Sequence, residues 1–518
     1  MAKAEDRVKT IAIPFPVGGV DKRLSYDEQA PLTAVAASNV RPDASISSRE
    51  RGGSRPGLVK WDSAQPAGAN VVRLIGQAFF TSSSAYAKYT YMSANGTLYR
   101  WNSAGSWTQI TGVTLVGNRP LTGCDLLNKV YIANQVTTEA IVVWTPTGTT
   151  MAALVASAGT VPTKCYILAR YRDRLIAAGD RDNPHVIYAS KQGDPTDWDD
   201  TATGVDAAWT LTTAEAGRVG APITALAPHG DDCMIVGCAG ELWTVRSDPG
   251  SNGAIDNLSR TIGIFDYTSW CHDSEGNLWF ISHNDGLYFM SAGCGDRPLS
   301  VSRERLPEDL LNLVRGTDVV TMSYDVRDRG LHIVKNGSSD SAWFVDIKIK
   351  RTGDAARNWG SFWPASHTAD HYAMYQYHLT EADHTKSQAL WGGSDGYIRH
   401  FDNTASQDDG SADITATYSV VVPMASPGEV GGLHTLECTP ATSSGDIDVA
   451  VAVGNSMEEA ADASASATYA FNSVGYNGSI HPRVRGNAVK LTVSNGQSNA
   501  EFAVESLLIK VAPQSNRR

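Results

Sequence analysis

The feature of this sequence that most constrains its fold is a short strand-like segment with an aromatic residue, which recurs at a regular interval. The recurring aromatic residues are Tyr99, Trp144, Tyr188, Trp243, Tyr288, Phe344 and Tyr397. Successive members are 45, 44, 55, 45, 56 and 53 residues apart. A period of about 40 to 55 residues with one such mark per unit is typical of a β-propeller, in which each repeat forms a four-stranded blade. We therefore predict an all-β propeller of six to eight blades, seven being the best count, over residues 61–405.

One repeat shows the pattern in detail. Within residues 271–292, Glu275 and Gly276 predict a turn, residues 277–282 alternate as a strand, and residues 287–290 form the partner strand after an Asp-Gly pair. Asp-Gly between alternating segments is a strong hairpin signal. The stretch resembles the D-x-x-G-N-L-W blade motif of sensor-type propellers, a resemblance that concerns architecture and not function.

The two ends of the chain differ from the repeats. Residues 1–60 predict an N-terminal strap, and the polar linker SQDDGSAD begins at Ser406. The alternating segments that follow are residues 414–422, 446–454, 488–496 and 500–511. Antiparallel strands of this length predict a β-sandwich over residues 406–518 with a basic tail. One helix is predicted within residues 302–316, where Pro307 lies near the first helical position and Gly316 follows the last turn.

Composition excludes several function classes. The net charge is −12, so the chain repels free nucleic acid, and DNA binding through a basic face is not expected. Seven cysteines are few and odd in number, which is typical of a reducing cytoplasm and not of a disulfide scaffold. The first ten residues lack the apolar stretch of a secretory signal, and no run approaches the roughly 20 apolar residues of a membrane helix.

Two short motifs raise enzymatic or metal-binding hypotheses. The sequence GGSDG around Ser394 fits the G-x-S-x-G pattern of serine hydrolases, but a strand follows where that motif requires a helix, so a hairpin turn is predicted. Cys233 and Cys238 are five residues apart in an extended segment, which places them on opposite faces of a strand. This spacing favours buried apolar cysteines over a zinc site.

Two clusters of ionisable residues also raise enzymatic or metal-binding hypotheses. Carboxylates beside an indole suit a glycosidase or a calcium site, but the segment DPTDWDD also predicts a capped turn. Four histidines lie within residues 367–384, without the motif of a metalloprotease, and predict a solvated loop that faces a partner. The residues concerned are Asp194, Asp197, Asp199, Asp200, His367, His371, His378 and His384. We assign no catalytic, cofactor-binding or metal-binding residue and predict that the protein is not an enzyme.

Three motifs, taken in order, resemble a known family. Residues 31–61 contain an A-x-N-V-x-P element ending at Pro42, a polar loop with Arg49 and Arg51, and an R-P-G-L turn beginning at Arg55. Later the chain reads RDRL from Arg172 and GDPTDW from Gly193. This order resembles the β-propeller tail proteins of short-tailed bacteriophages, which form the hub or nozzle at the distal end of the tail tube.

The resemblance implies a structural virion protein. It implies a homo-hexameric ring that forms part of the DNA exit channel, contacts the adaptor and carries fibres, and that is made in the host cytoplasm without a cofactor. Arg49, Arg51 and Arg55 are then interface candidates, pairing with acidic surface in the same chain or the next subunit. The alternatives are a virion-borne propeller enzyme acting on host surface polysaccharide and a cellular sensor or scaffold propeller.

We predict that the purified chain does not retain duplex DNA at physiological salt. DNA must slide through an exit channel, and each phosphate neutralised by Lys or Arg would add salt-dependent affinity. The acidic pairs Asp199-Asp200 and Asp408-Asp409 are our candidates for the channel wall. An electrophoretic mobility shift measures this directly. A retained band that weakens steeply as salt rises would contradict the prediction and assign phosphate binding to the arginines of the strap.

Overall fold

The computed structural model describes most of residues 8–514, and its described part is built almost entirely from antiparallel sheets. The description leaves out residues 44–45, 47–48, 50, 67, 83–84, 135–139, 212–218, 284–285, 294–295, 303–304, 306–309, 311–312, 338–340, 348–359, 380–387, 427–428, 473–474 and 498. The helix predicted within residues 302–316 and the basic tail fall mostly or wholly outside the described residues.

Seven four-stranded sheets follow one another along the chain, each formed from neighbouring antiparallel strands. Sheet 1 contains Val72–Ser82, Ala85–Ala94, Thr97–Ser103 and Ser106–Ile110. Sheet 2 contains Gly123–Leu126, Lys129–Ala133, Ile141–Trp144 and Met151–Ala153. Sheet 3 contains Ile167–Tyr171, Arg174–Ala178, Ile187–Ala189 and Trp209–Leu211. Sheet 4 contains Ile223–Pro228, Cys233–Cys238, Leu242–Arg246 and Ala254–Ser259.

The remaining three sheets keep the same hairpin order. Sheet 5 contains Trp270–His272, Leu278–Ser282, Gly286–Met290 and Leu299–Ser300. Sheet 6 contains Val319–Asp325, Gly330–Asn336, Ser341–Asp346 and Ser361–Ala365. Sheet 7 contains His371–His378, Gln388–Gly393, Ile398–Asp402 and, as its fourth strand, Gly57–Lys60. The hairpin predicted from residues 277–290 is confirmed, because Leu278–Ser282 and Gly286–Met290 pair in antiparallel register.

The first strands of the seven sheets surround a common axis. A cavity of about 270 Å³ is lined by at least one residue from each of these strands. Representatives from sheets 1 to 7 are Ile75, Gly123, Ile167, Leu226, Trp270, Met322 and Met374. Sheets that radiate from a central cavity in sequence order form a β-propeller, as the periodicity predicted.

The N-terminal strap closes the propeller. Gly57–Lys60 pairs antiparallel with Ile398–Asp402, so that Leu58 lies opposite Phe401. Leu58 is fully buried in a cluster with Trp391 and Phe401. The strap therefore supplies the fourth strand of sheet 7, which would otherwise end in an open edge after three strands.

The segment after residue 413 builds two more sheets, and the N-terminal segment adds one strand to each. The first, in spatial order, contains Lys9–Ala12, Val504–Gln514, Val430–Pro440 and Val484–Gly486. The second contains Ala36–Ser38, Thr417–Pro423, Ala488–Asn495, Ile447–Gly454 and Ala467–Phe471. Leu436 and Ile509 of the first sheet share one buried core with Val449 and Leu491 of the second. Residues 1–60 are thus built into both parts of the molecule and are not a separate arm.

Small elements complete the described chain. The two-stranded pairs are Val40–Arg41 with Gly53–Ser54, Ala158–Gly159 with Asp197–Trp198, and Gln407–Asp408 with Ala412–Asp413. The helical elements are the 3-10 turns Tyr26–Glu28 and Pro249–Ser251 and the α-helix Met457–Asp462. Ser456 caps that helix by accepting the Glu459 N–H. Within the described residues, no helix has the length and apolar character needed to cross a membrane.

We expect Leu58→Ala to lower the free energy of unfolding by about 2–5 kcal/mol, because it removes a buried side chain from the closing strand. Leu299→Ala is the matched control, since Leu299 is 54% exposed on the outer strand of sheet 5 and its loss should cost about 0.5 kcal/mol or less. Urea unfolding followed by tryptophan fluorescence measures both. Equal losses for the two variants would show that closure by the strap does not stabilise the propeller.

Candidate functional site

Arg55 of the strap lies inside the molecule. Its guanidinium binds Asp408 through two parallel hydrogen bonds, Nη1 to Oδ1 at 2.8 Å and Nη2 to Oδ2 at 2.6 Å. The side chains are 2% and 3% exposed. Asp408 Oδ1 also accepts the Leu58 N–H at 2.8 Å, which fixes the start of the closing strand. A bidentate Arg–carboxylate pair is among the strongest and most directional polar contacts in proteins.

The other donors of Arg55 are also used. Nε donates to Asn39 Oδ1 at 2.9 Å, Nη2 to the Ser366 carbonyl at 2.8 Å and Nη1 to the Pro56 carbonyl at 3.0 Å. With the two bonds to Asp408, all five N–H donors of the guanidinium have a partner. Asn39 itself donates to Ser366 Oγ and to the Thr415 carbonyl, both at 2.9 Å. We call Arg55, Asp408, Asn39 and Ser366 the strap node; it joins the strap, the propeller and the linker to the C-terminal sheets.

Arg41, which the sequence analysis did not single out, is a second buried arginine of the strap. It forms an ion pair with Asp328 in the turn of sheet 6. Its guanidinium lies over the rings of Phe344 and Phe401, 4.3 Å and 4.5 Å from their centroids. Burial lowers the pKa of Arg41, and Asp328 opposes that shift. Arg41 occupies the variable position before the proline of the A-x-N-V-x-P element, so the motif itself gave no signal for this buried cation.

Arg51 and Arg49 lie nearer the surface. Arg51 Nη1 is 2.9 Å from Glu505 Oε2, and the Glu505 side chain is 57% exposed. Arg49 has no ion pair among the described residues, and its carbonyl accepts the Arg51 N–H. Arg51 and Glu505 lie between two cavities of about 450 and 490 Å³, the second of which Arg49 also lines. Of the three interface candidates, Arg55 is therefore internal, whereas Arg49 and Arg51 border open surface.

The RDRL motif contributes a second buried arginine joint. Arg174 is fully buried, with Nε and Nη2 both bound to Asp248 Oδ2 at 3.0 and 2.8 Å. Its Nη1 donates to the carbonyls of Ser190 and Ala207 at 2.8 and 2.7 Å. Asp248 Oδ1 in turn accepts the Trp209 indole N–H at 3.0 Å. These bonds connect sheet 3 to the turn between the third and fourth strands of sheet 4.

The hydrolase motif and the cysteine pair have the structures that their simpler interpretations predicted. Ser394 lies in the hairpin turn between Gln388–Gly393 and Ile398–Asp402. Cys233 and Cys238 lie on one strand but pack into different buried clusters, which confirms opposite faces. Burial raises the pKa of the Cys238 thiol to about 12. Both cysteines are buried, as their spacing predicted, and Cys233 is disulfide-bonded.

The aspartate cluster forms capped turns. Asp194 Oδ1 accepts the N–H and the hydroxyl of Thr196 at 2.9 and 2.6 Å, and these bonds lower the pKa of Asp194. Asp199 binds Thr201 in the same way at 3.0 and 2.6 Å. Among the described residues, no group of three or more His, Cys, Asp or Glu side chains has the arrangement of a metal site. Hydrogen bonds local to each turn account for these carboxylates.

The expectation of a solvated histidine loop is wrong for His371 and His378, whereas His367 is half-buried. Burial lowers the pKa of His371 to about 3 and that of His378 to about 4. The rings of His367 and His371 each pack 5.2 Å from that of Trp391. His371–His378 is the first strand of sheet 7, so its alternate side chains must face the packed interior. His384 lies outside the described residues.

Three of the four residues proposed for an acidic channel wall have partners within the chain, and the fourth, Asp200, is exposed. Asp408 is buried and forms an ion pair with Arg55, and Asp409 Oδ2 lies 2.7 Å from Arg399 Nη2. Asp199 accepts hydrogen bonds within its own turn. Asp408 and Asp409 therefore serve the joint between the propeller and the C-terminal sheets.

Comparison with known proteins does not identify a family. No protein-family model matches the chain, and no curated protein matches it. Among solved structures, the extracellular domain of BT4673 from B. thetaiotaomicron has a TM-score of 0.42 at 12% identity, covering 75% of this chain and 44% of that chain. Sqt1 from Saccharomyces cerevisiae has a TM-score of 0.41 at 12% identity, covering 67% and 99%. YCF48 bound to D1 peptide has a TM-score of 0.38 at 13% identity, covering 67% and 97%. At these identities and scores, the likenesses say nothing about function.

We expect Arg55→Met to lower the free energy of unfolding by about 3–5 kcal/mol, because it leaves the buried Asp408 carboxylate without its counter-charge. Arg51→Met removes the same group from a pair with the exposed Glu505 and should cost less than about 1 kcal/mol. Combining Arg55→Met with Asp408→Leu should recover part of the loss, since neither charge then remains buried alone. Chemical unfolding measures all three. Similar values for Arg55→Met and Arg51→Met would contradict the assignment of Arg55 as the main joint.

Proposed function

We propose that this chain is a structural protein of a bacteriophage tail, a nozzle or hub subunit that assembles into a homo-hexameric ring around the DNA exit channel. In this proposal the seven sheets are the blades of one seven-bladed propeller, and the two C-terminal sheets form a β-sandwich. The adaptor and the fibres are its partners in the virion, and the genome passes without specific binding.

The observation that carries this proposal concerns the motifs of the family resemblance. Each contains residues buried at a joint of the fold: Asn39 and Val40 in the A-x-N-V-x-P element, Arg55 in the R-P-G-L turn, Arg174 in RDRL and Trp198 in GDPTDW. Chance similarities would be expected between exposed loops. These motifs instead contain side chains that determine how the strap and the sheets are joined. The resemblance therefore extends to the residues on which the architecture depends.

A tail subunit that transmits force also needs the kind of connection seen here. The strap contributes strands to sheet 7 and to both C-terminal sheets, so the two parts are linked by a segment distant in sequence as well as by the linker at residue 406. Force applied to either part would have to extract Arg55 from its five hydrogen bonds. Such a construction suits a rigid subunit that transmits load.

The surface around Arg49 and Arg51 is our candidate for contact with the next subunit. These arginines border open cavities beside the exposed Glu505, whereas Arg55 is internal. Intersubunit contacts use arginines because their planar forks can bind carboxylates of a neighbour bidentately.

We predict that the wild-type chain forms a species with six times the 55.4 kDa chain mass, and that the double variant Arg49→Ala/Arg51→Ala shifts it towards monomer while thermal unfolding of the monomer is unchanged. Arg170→Ala/Arg246→Ala is the matched control, since both arginines lie on the propeller surface, 54% and 47% exposed. Mass photometry and sedimentation give the masses. A wild-type chain that stays monomeric at every concentration, or equal assembly by the double variant, would argue against the proposal.

The rival enzyme hypothesis is tested with the same material. Incubation with host capsular polysaccharide or lipopolysaccharide should release no fragments. Cleavage products that disappear in Asp194→Ala or Asp197→Ala would replace the structural proposal with a virion-borne polysaccharide-degrading enzyme.

A further inference from the structure

A second cavity, of about 640 Å³, opens at the end of the propeller where the first strands begin. Its lining comes from the segments that enter sheets 1, 2, 3, 5, 6 and 7. Tyr267 lines both this cavity and the central one, and its hydroxyl donates to the Pro120 carbonyl at 2.7 Å. Its ring lies 5.5 Å from that of Tyr166. Tyr267, with Tyr166 beside it, therefore lies between the central cavity and this second cavity.

Four arginines line this cavity: Arg73, Arg119, Arg181 and Arg315. Arg73 Nε donates to the Gly117 carbonyl at 3.1 Å, and Arg315 Nη2 donates to the Phe265 carbonyl at 2.9 Å. Both of these partners are neutral, so the bonds orient the guanidinium groups without cancelling their charge.

Two carboxylates, Asp266 and Asp318, also line the cavity. The charge of Asp318 is balanced by Lys335, which does not itself line the cavity. Asp318 Oδ2 accepts the Val314 N–H at 2.7 Å and lies 3.9 Å from Lys335 Nζ. Asp266 is close to Arg315, and burial raises the pKa of Asp266 to about 6. Among the described lining residues, Arg73, Arg119 and Arg315 alone outnumber these two carboxylates, one of which lies beside Lys335, so positive charge is in excess inside a concave surface.

The electrostatics of the arginines agree with this excess. The pKa of Arg73 and that of Arg119 are both lowered, mainly by burial. The charge of Arg181 lowers the pKa of Arg119 further. A bound anion would relieve both the desolvation and the repulsion between cations.

We propose that this cavity binds a small ligand that carries a multivalent oxyanion, a phosphate or sulfate group. Guanidinium forks arranged around one space suit bidentate binding of such oxygens. The volume falls within the roughly 300–1,000 Å³ of small-molecule sites, and the tyrosine rings offer flat apolar surface to the rest of the ligand. A DNA duplex is too wide to enter, so the oxyanion belongs to a small molecule. The role is independent of assembly into a ring.

The test is calorimetric titration of the full chain at low ionic strength with pyrophosphate, sulfate, glucose 6-phosphate and glucose. We expect one site per chain for the three anions, no binding of glucose alone, and at least tenfold weaker binding in Arg119→Gln/Arg181→Gln. Tighter binding of glucose 6-phosphate than of sulfate identifies a phosphosugar as the ligand class. The reverse order identifies the free oxyanion.

Arg170→Gln is the matched control, because Arg170 lies at the end of the first strand of sheet 3 that is remote from the cavity residue Tyr166, and it pairs with Asp173 on the surface. It should bind the anions as the wild type does. Unchanged thermal unfolding of the double variant shows that the substitutions act at the cavity and not on the fold. No detectable anion binding by the wild type, or equal weakening in Arg170→Gln, would overturn the proposal.

Discussion

Arg55 and Asp408 carry opposite charges into a region that water does not reach, and the connection between the two halves of the molecule depends on them. The pair holds the start of the closing strand through the Leu58 N–H, and Arg55 reaches Asn39 and Ser366 at the same time. One guanidinium thus fixes the strap, the propeller and the linker relative to one another. Because all five donors are used, a shift of any partner would leave a buried charge incompletely bound.

The same solution recurs at two other joints. Arg41 is held by Asp328 between two phenylalanine rings, and Arg174 is held by Asp248 between sheets 3 and 4. A buried ion pair adds little net stability compared with a well-packed apolar contact, but removing one partner is costly. The arrangement therefore specifies how strands are joined. A chain of repeated hairpins needs such specification, because its sheets resemble one another and hydrophobic burial alone does not distinguish them.

The distribution of charge, and not only the net charge, determines which anions the chain can bind. The chain is acidic overall, yet four of its described arginines, Arg41, Arg55, Arg174 and Arg399, are buried inside the fold and four others line one cavity at the end of the propeller. An acidic exterior with a basic concavity favours small anions that can enter over polymers that contact only the exterior. The proposed passage of DNA past the subunit and the proposed binding of a small oxyanion in the cavity are therefore compatible in one molecule.

The sequence by itself determined sheets 1 to 6, because each of these is made of hairpins whose strands and turns are neighbours in the chain. Asp-Gly turns, alternation and the spacing of the aromatic residues are local signals, and they suffice for sheets 1 to 6. Local reasoning also explained Ser394 and the opposite faces of Cys233 and Cys238. Only the tertiary structure decided that Asp408 would meet Arg55, 353 residues away, and not line a channel. It likewise decided that the histidines of sheet 7 would be buried and that arginines from four separate segments would line one cavity. Those outcomes depend on how the ring closes, and closure brings together residues whose sequence separation leaves no periodic or local trace.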